Sequence, residues 1–256
     1  MKVLSLFDGI SCGMVALERA GISIEEYVAF EIDEPAIKVS HKNYSQIQHC
    51  GDVFKADFSR YKGFDLLLGG SPCTYWSIAK NNRETTPDGM GGQLFMQYVR
   101  ALKESSCKYF LYENNYSICQ NIKDFISAEL GVSPILVNSS LVSAQSRKRC
   151  YWTNIPFELP EDKHIILQDI LEFGIAEREK SKTVRCGGGN SGWGDKHEWD
   201  MPNHERIYTT IELERLQTLP DNYTYGVSDT QRRKAIGNGW TVDVITHILK
   251  NLKKER

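Results

Sequence analysis

Lys2-Val3-Leu4-Ser5-Leu6-Phe7-Asp8-Gly9-Ile10-Ser11-Cys12-Gly13 decides the fold. Val3 to Phe7 is an apolar run of strand length. Gly9 and Gly13 punctuate the turn after it, and a helical pattern runs from Gly13 to Ala20. A strand, a glycine turn and a helix begin a βαβ unit, and glycine there lets the backbone approach a ligand closely before entering the helix. The same turn is also generic α/β architecture, and it lacks the G-x-G-x-x-G spacing that would favour a dinucleotide.

The alternation continues downstream. Tyr27 to Phe30 reads as a second strand, followed by a helix from about Pro35. His49 to Val53 reads as a short third strand, Phe64 to Leu68 as a fourth and Tyr109 to Tyr112 as a fifth. A helical stretch around Leu94 to Leu102 precedes the fifth. Ile135 to Val142 and Cys150 to Ile155 read as a final pair. Strands alternating with helices imply a parallel sheet covered on both faces. After Pro156 the chain turns polar and loop-rich, with the run Cys186-Gly187-Gly188-Gly189-Asn190-Ser191-Gly192. A helix returns at Thr210 to Gln217, with Thr210 as its expected N-cap, and an apolar helix is expected over Val242 to Leu252.

Bulk properties exclude some classes of protein. Hydrophobic residues make up 41% of the 256 positions and charged residues 25%, an ordinary globular composition. No apolar run reaches membrane-span length, and strand one follows Met1 directly, leaving no room for a signal peptide. The seven cysteines form no C-x-x-C pair and are odd in number. Neither a zinc site nor a disulfide framework is expected, and a cytoplasmic setting follows. Net charge is only -2, so any nucleic-acid argument must rest on local clusters.

Four strand ends carry chemistry. Glu31 ends strand two, where a carboxylate can accept ribose hydroxyls, and Asp52 ends strand three, where it can meet an adenine amino group. Gly69-Gly70-Ser71-Pro72-Cys73 leaves strand four, presenting a cysteine on a loop rather than in a core. Glu113-Asn114-Asn115 leaves strand five, beside it if sequential strands are neighbours. A nucleophile and a general acid are the reading this pairing suggests.

The ordered set resembles a known family. Pro72-Cys73 after Gly-Gly-Ser, Glu113-Asn114, and Gln145-Ser146-Arg147-Lys148-Arg149 resemble the fourth, sixth and eighth motifs of DNA cytosine-5 methyltransferases. Phe7-Asp8-Gly9 with Gly13 is similar to their first motif, Glu31 to the second, Gly51-Asp52-Val53 to the third and Gln93-Leu94-Phe95 to the fifth. Arg206, Thr209, Glu212, Arg215-Leu216-Gln217 and Pro220-Asp221 resemble the ninth. Gly237-Asn238-Gly239-Trp240 with Val242 resembles the tenth. All stand in family order. The compact form, with Ser-Pro-Cys and a Trp in the last motif, is similar to the catalytic domain of animal de novo methyltransferases, and the length suggests a bacterial or phage enzyme.

The resemblance implies a Rossmann-like α/β fold that uses S-adenosylmethionine, with a small inserted target-recognition lobe. The catalytic domain would span 1–156 plus 223–256, and the lobe 157–222. Cys73 would add to C6 of a flipped cytosine in double-stranded DNA, Glu113 would hold N3, and Arg147 and Arg149 would contact the base and nearby phosphate. The cofactor would rest on Phe7, Asp8, Gly9, Ile10, Ser11 and Gly13 at its methionine end. Glu31 with Ile32 would take the ribose, and Asp52 with Val53 the adenine. Gly70, Pro72, Leu94, Asn238, Gly239 and Trp240 would complete the pocket. Expected DNA contacts are Ser77, Lys180, Lys182, Arg185, Gly188 and Arg232, the last within the basic run Arg232-Arg233-Lys234. No metal is expected, and a monomer or weak homodimer is. Alternatives are an RNA (tRNA) cytosine-5 methyltransferase, whose Cys-Phe-Thr run is missing here, or a non-catalytic DNA-binding relative. Thr74-Tyr75-Trp76-Ser77 departs from the Gln and Phe common in bacterial members, which puts the filling of the vacated base position in doubt.

Overall fold

The computed structural model describes residues 1–78, 82–186, 196–198 and 205–253. Gly188 and the rest of the glycine run after Cys186 lie outside them. In chain order the elements are β1 (Lys2–Leu6), α1 (Cys12–Arg19), β2 (Glu26–Phe30), α2 (Glu34–Asn43), β3 (Gln48–His49) and β4 (Leu66–Gly69). Then come α3 (Met90–Ser105), β5 (Tyr109–Asn115), α4 (Gln120–Leu130), β6 (Ile135–Asn138) and β7 (Lys148–Thr153). A short antiparallel ribbon, β8 (Lys196–Glu198) and β9 (Glu205–Ile207), precedes α5 (Thr210–Leu216), α6 (Asp229–Asn238) and α7 (Val242–Leu249).

The large sheet has seven strands in the order β3-β2-β1-β4-β5-β7-β6. The first five in sequence are parallel, and β7 runs antiparallel to both β5 and β6. Chain order reverses between β1 and β4, and ligands of open α/β sheets bind at such a switch point, beyond the carboxyl ends of the strands. Leu66, Leu67 and Leu68 of β4 are fully buried, as a strand covered on both faces must be. Each contributes about 1.5–3 kcal/mol through burial. One core, including Val15, Leu68, Ile245 and Ile248, packs α1 and α7 against the sheet. A second, including Leu67, Phe95, Tyr112 and Trp152, lies under α3 and α4. A third is small: Leu167, Ile170, Val184, Tyr208, Leu213 and Leu216, joined by Ala144 and Ile236.

Several boundaries differ from the sequence reading. β1 ends at Leu6 because Phe7 takes a positive φ of 57°. β3 ends at His49: Gly51, at φ 77°, turns the chain, and Asp52 caps the next turn by accepting from Phe54 N at 3.0 Å. β5 runs on to Asn115 because antiparallel β7 supplies partners that the parallel neighbour no longer does. β6 stops at Asn138, where a 3-10 turn over Ser139–Leu141 begins. Thr209, not Thr210, caps α5: its hydroxyl accepts from Glu212 N while Glu212 accepts from Thr209 N.

Candidate active site

Strand register builds the site. Phe30, Leu6, Gly69 and Tyr112 stand in one row across β2, β1, β4 and β5. The next residue on each strand is Glu31, Phe7, Gly70 and Glu113. Four distant sequence segments therefore meet at one sheet edge, and all four line a cavity of about 230 Å³. Cys73, Asp8, Gly9, Ile10, Pro72, Arg147, Arg149, Asn238, Gly239 and Trp240 line it too. Of the expected cofactor residues, Ser11, Gly13, Ile32, Asp52, Val53 and Leu94 stand outside this lining. Ser11 and Gly13 are buried behind the turn, Val53 is buried, Ile32 is exposed, and Leu94 packs against the second core.

The turn after β1 is shaped by positive φ at Phe7, Gly9 and Ser11 (57°, 59° and 59°). Two of these residues carry a Cβ, so the turn needs tethers. Gly9 N donates to Glu31 Oε2 at 2.8 Å, and Glu31 Oε1 accepts from Ile32 N and Asp33 N, each at 2.8 Å. Burial pushes the Glu31 carboxyl up against these amide bonds. Asp8 lines the cavity with most of its acceptor capacity in use: Oδ1 accepts from Ser5 Oγ (2.6 Å) and Tyr27 OH (2.7 Å), and Oδ2 from Ser11 Oγ (2.5 Å).

Glu113 is held from two sides. Arg149 Nε lies 2.9 Å from Oε1, and Trp240 Nε1 donates to Oε2 at 3.0 Å. Each oxygen keeps a lone pair for a ligand. Gly70 leaves room for this arrangement: a Cβ there would lie 3.0 Å from Glu113 O and 3.2 Å from its Oε2. The loop carrying Cys73 is fixed from below, where Asn114 Nδ2 reaches Ser71 O at 3.4 Å and Tyr112 OH at 3.2 Å, and Ser71 Oγ meets Tyr112 OH at 2.6 Å. Burial pushes the Cys73 thiol up, and Arg149 pulls it down.

Cys73 also faces outward. With Thr74, Arg149, Gly237 and Asn238 it belongs both to the cavity and to an open groove of about 860 Å³. Ser77, Tyr116, Lys148 and Arg185 are among the other lining residues, and no Asp or Glu occurs among the described residues that line it. Lys182 and Arg185 are exposed.

Other basic residues have different work from that expected. Arg147 is buried and donates to Val184 O (2.9 Å), Gly237 O (3.2 Å) and Gly239 O (2.9 Å), tying the third core to the Gly237–Trp240 turn. These bonds brace the site, and the Arg147 side chain also lines the cavity beside Cys73 and Glu113. Burial, then the Arg149 charge, push its guanidinium down to about 10. Arg232, expected at DNA, is buried against Glu214 at 3.1 Å and Thr224 Oγ1 at 2.9 Å. Lys234 pairs with Asp33 at 2.9 Å, and Lys180 caps three carbonyls, of Ser140, Ser143 and Ile165. Among the described residues no group of three His, Cys, Asp or Glu could hold a metal, and no helix is long and apolar enough to cross a membrane.

The sequence reading missed the Trp240–Glu113 bond and the braces Gln217 and Tyr223. Gln217 Nε2 donates to Ile236 O and Gly239 O, and Tyr223 OH to Ile10 O at 2.6 Å. Gln217 stood in the ninth-motif resemblance, but its contacts needed the fold.

Comparison with known proteins agrees with this architecture. Over 190 residues the chain is 33% identical to orphan methyltransferase M.SPRI of Bacillus phage SPR, covering 68% of this chain and 43% of that protein. It is 28% identical over 243 residues to type II methyltransferase M.FnuDI of Fusobacterium nucleatum, covering 84% and 66%. The chain thus spans less than two thirds of the length of these relatives. The Entamoeba histolytica methyltransferase EhMeth superposes with a TM-score of 0.81 at 16% identity, covering 100% of this chain and 98% of that one, a likeness of fold. The model of the C-5 cytosine-specific DNA methylase family matches residues 1–185 and 170–254, nearly the whole chain, and the protein belongs to that family.

Proposed function

We propose that this protein transfers a methyl group from S-adenosylmethionine to C5 of cytosine in double-stranded DNA, with Cys73 as nucleophile. The observation that carries the reading is the position of Cys73, where an enclosed cavity meets an open groove whose lining has cations and no carboxylate. A cofactor on one side and a polyanion on the other is the arrangement methyl transfer to a nucleic acid requires.

The cavity fits the cofactor. Glu31 puts a carboxylate at one end, suited to ribose hydroxyls, and Phe7 and Trp240 supply aromatic wall. Gly70, where a Cβ would crowd Glu113, keeps the far end open toward Cys73. Ile32, beside Glu31, and Asp52, Val53 and Leu94, assigned to the rest of the cofactor by the family resemblance, line no part of the cavity and enter the proposal only as neighbours of it. When bound, S-adenosylmethionine supplies an electrophilic methyl on a sulfonium. The chain supplies the rest. A base within a duplex must leave the stack to reach Cys73. Thiolate addition at C6 makes C5 nucleophilic. Glu113 meets N3 and prevents full negative charge from building on the ring, and Arg149 holds Glu113 and faces the incoming base. After methyl transfer, solvent water takes the C5 proton, the C5–C6 double bond re-forms and the C6–S bond breaks, releasing the Cys73 thiolate.

Residues 157–222 serve as a target-recognition lobe in this reading, with Lys182 and Arg185 toward phosphates, so binding weakens as salt rises. The setting is a bacterial cell or its phage. The test is expression of wild type and Cys73→Ala, followed by conversion sequencing of host DNA. Methylcytosine in one short context with wild type alone is the expected outcome. Unmarked DNA together with methylated RNA would move the protein to the RNA alternative.

A further inference from the structure

A line of polar side chains runs from the cavity turn to the far edge of the sheet. Asp8 Oδ1 accepts from Ser5 Oγ at 2.6 Å and from Tyr27 OH at 2.7 Å, and Oδ2 accepts from Ser11 Oγ at 2.5 Å. Ser11 Oγ then meets Ser40 Oγ of α2 at 2.5 Å, and Ser40 Oγ meets His49 Nε2 of β3 at 3.1 Å. Ser11 and Ser40 are buried, and His49 Nδ1 is buried without a hydrogen-bond partner.

Proton accounting gives the chain a direction. A hydroxyl has one proton to donate. With Asp8 ionised, the form its three hydroxyl donors favour against the upward push of burial, Ser11 gives its proton to the carboxylate and can only accept from Ser40. Ser40 has then used its own proton and must accept from His49. His49 Nε2 therefore carries hydrogen. Nδ1 has no acceptor nearby, so a proton there would be buried and unpaired, and the neutral Nε2–H tautomer satisfies the chain. His49 is thus the terminal donor of a one-way series of three hydrogen bonds ending on Asp8.

Ser11 is where this matters. It sits at φ 59° as the first residue before α1, and its side chain makes no capping bond to that helix. The side chain is instead engaged by Asp8 and Ser40. The hydrogen-bond series holds a left-handed Ser11 in place, two residues from Gly9, whose N–H is bonded to Glu31. We infer that His49, through Ser40, Ser11 and Asp8, is a positioning residue for the cofactor turn, although it lines no part of the cavity. The inference rests on the cofactor reading proposed above.

The test compares His49→Leu, which removes the donor, with His49→Gln, whose side-chain amide restores one. Isothermal titration with S-adenosylhomocysteine reads binding without turnover, and circular dichroism confirms folding. The dissociation constant should rise about five- to tenfold in His49→Leu, the equivalent of one lost hydrogen bond, and stay within about twofold of wild type in His49→Gln. In turnover, KM for S-adenosylmethionine should rise with kcat unchanged. Equal binding by wild type and His49→Leu would overturn the inference alone, as would an equal loss in His49→Gln. A wild type that does not bind S-adenosylhomocysteine would overturn the cofactor reading itself. Nitrogen-15 spectra add an independent check: His49 should show the neutral Nε2–H tautomer, and an Nδ1–H tautomer would contradict the proton order.

Discussion

The indole N–H of Trp240 donates to Glu113 Oε2 at 3.0 Å, joining residues 127 positions apart in the chain. Arg149 holds the other oxygen at 2.9 Å. The carboxylate at the end of β5 is therefore fixed by a residue from the adjacent strand and one from the turn before α7. Its orientation depends on the middle of the chain and the C-terminal segment being folded together. Trp240→Phe keeps the ring and removes the donor. Single-turnover methylation should slow by about five- to tenfold while the urea midpoint hardly moves. An unchanged rate would mean that the indole does not orient Glu113.

Arg147 and Arg149 should separate under mutation. Arg147→Met leaves the carbonyls of Val184, Gly237 and Gly239 without their donor and should cost about 2–4 kcal/mol in a urea titration. Arg149→Met frees Glu113 from its ion pair, and should lower the methylation rate on the order of a hundredfold with a smaller loss of stability.

Cys73, the proposed nucleophile, has a definite pH signature. Burial raises the Cys73 thiol above its ordinary value, and Arg149 opposes that rise. A raised value means that the thiol form persists through neutral pH and that thiolate appears only as pH climbs. Carbamidomethylation of Cys73 by iodoacetamide in the free protein should be slow at pH 7 and quicken about tenfold per pH unit. It should be slower still in Arg149→Met. Cys12, pushed up to about 12 by burial, should stay unmodified. Peptide mass mapping over a pH series reads both.

Gly237 permits a close approach between α6 and the segment after Val184. A Cβ at that position would lie 2.5 Å from Arg185 C and 2.6 Å from Cys186 N, both backbone atoms. Gly237→Ala should cost about 1–3 kcal/mol and displace the groove wall that carries Arg185. Weaker binding of a cytosine-containing duplex, with S-adenosylhomocysteine binding retained, is the expected result by fluorescence anisotropy and calorimetry.

The site was legible in the sequence wherever a strand end carries chemistry, because the register of a parallel sheet aligns those ends. Glu31, Phe7, Gly70 and Glu113 fall in one row for that reason. Charged residues were less legible. Arg232 and Lys180 read as surface cations, yet one neutralises Glu214 inside the fold and the other caps carbonyls. Partners fifteen or more residues away leave no local signal. The hydrogen bonds of Asp8 were not legible for a different reason. Its place in the turn is right for a ligand, but Ser5, Ser11 and Tyr27 take its carboxylate, and only packing brings those hydroxyls together.

Covalent catalysis by Cys73 on cytosine predicts a trappable adduct. A duplex carrying 5-fluorocytosine tests it directly, because fluorine at C5 cannot leave as a proton does and the adduct cannot resolve. Wild type incubated with that duplex and S-adenosylmethionine should give a complex that survives denaturing electrophoresis, with the nucleotide mass mapped to Cys73. Cys73→Ala should give none. A wild type that methylates ordinary duplex yet forms no adduct, or an adduct mapped to another cysteine, would contradict the account.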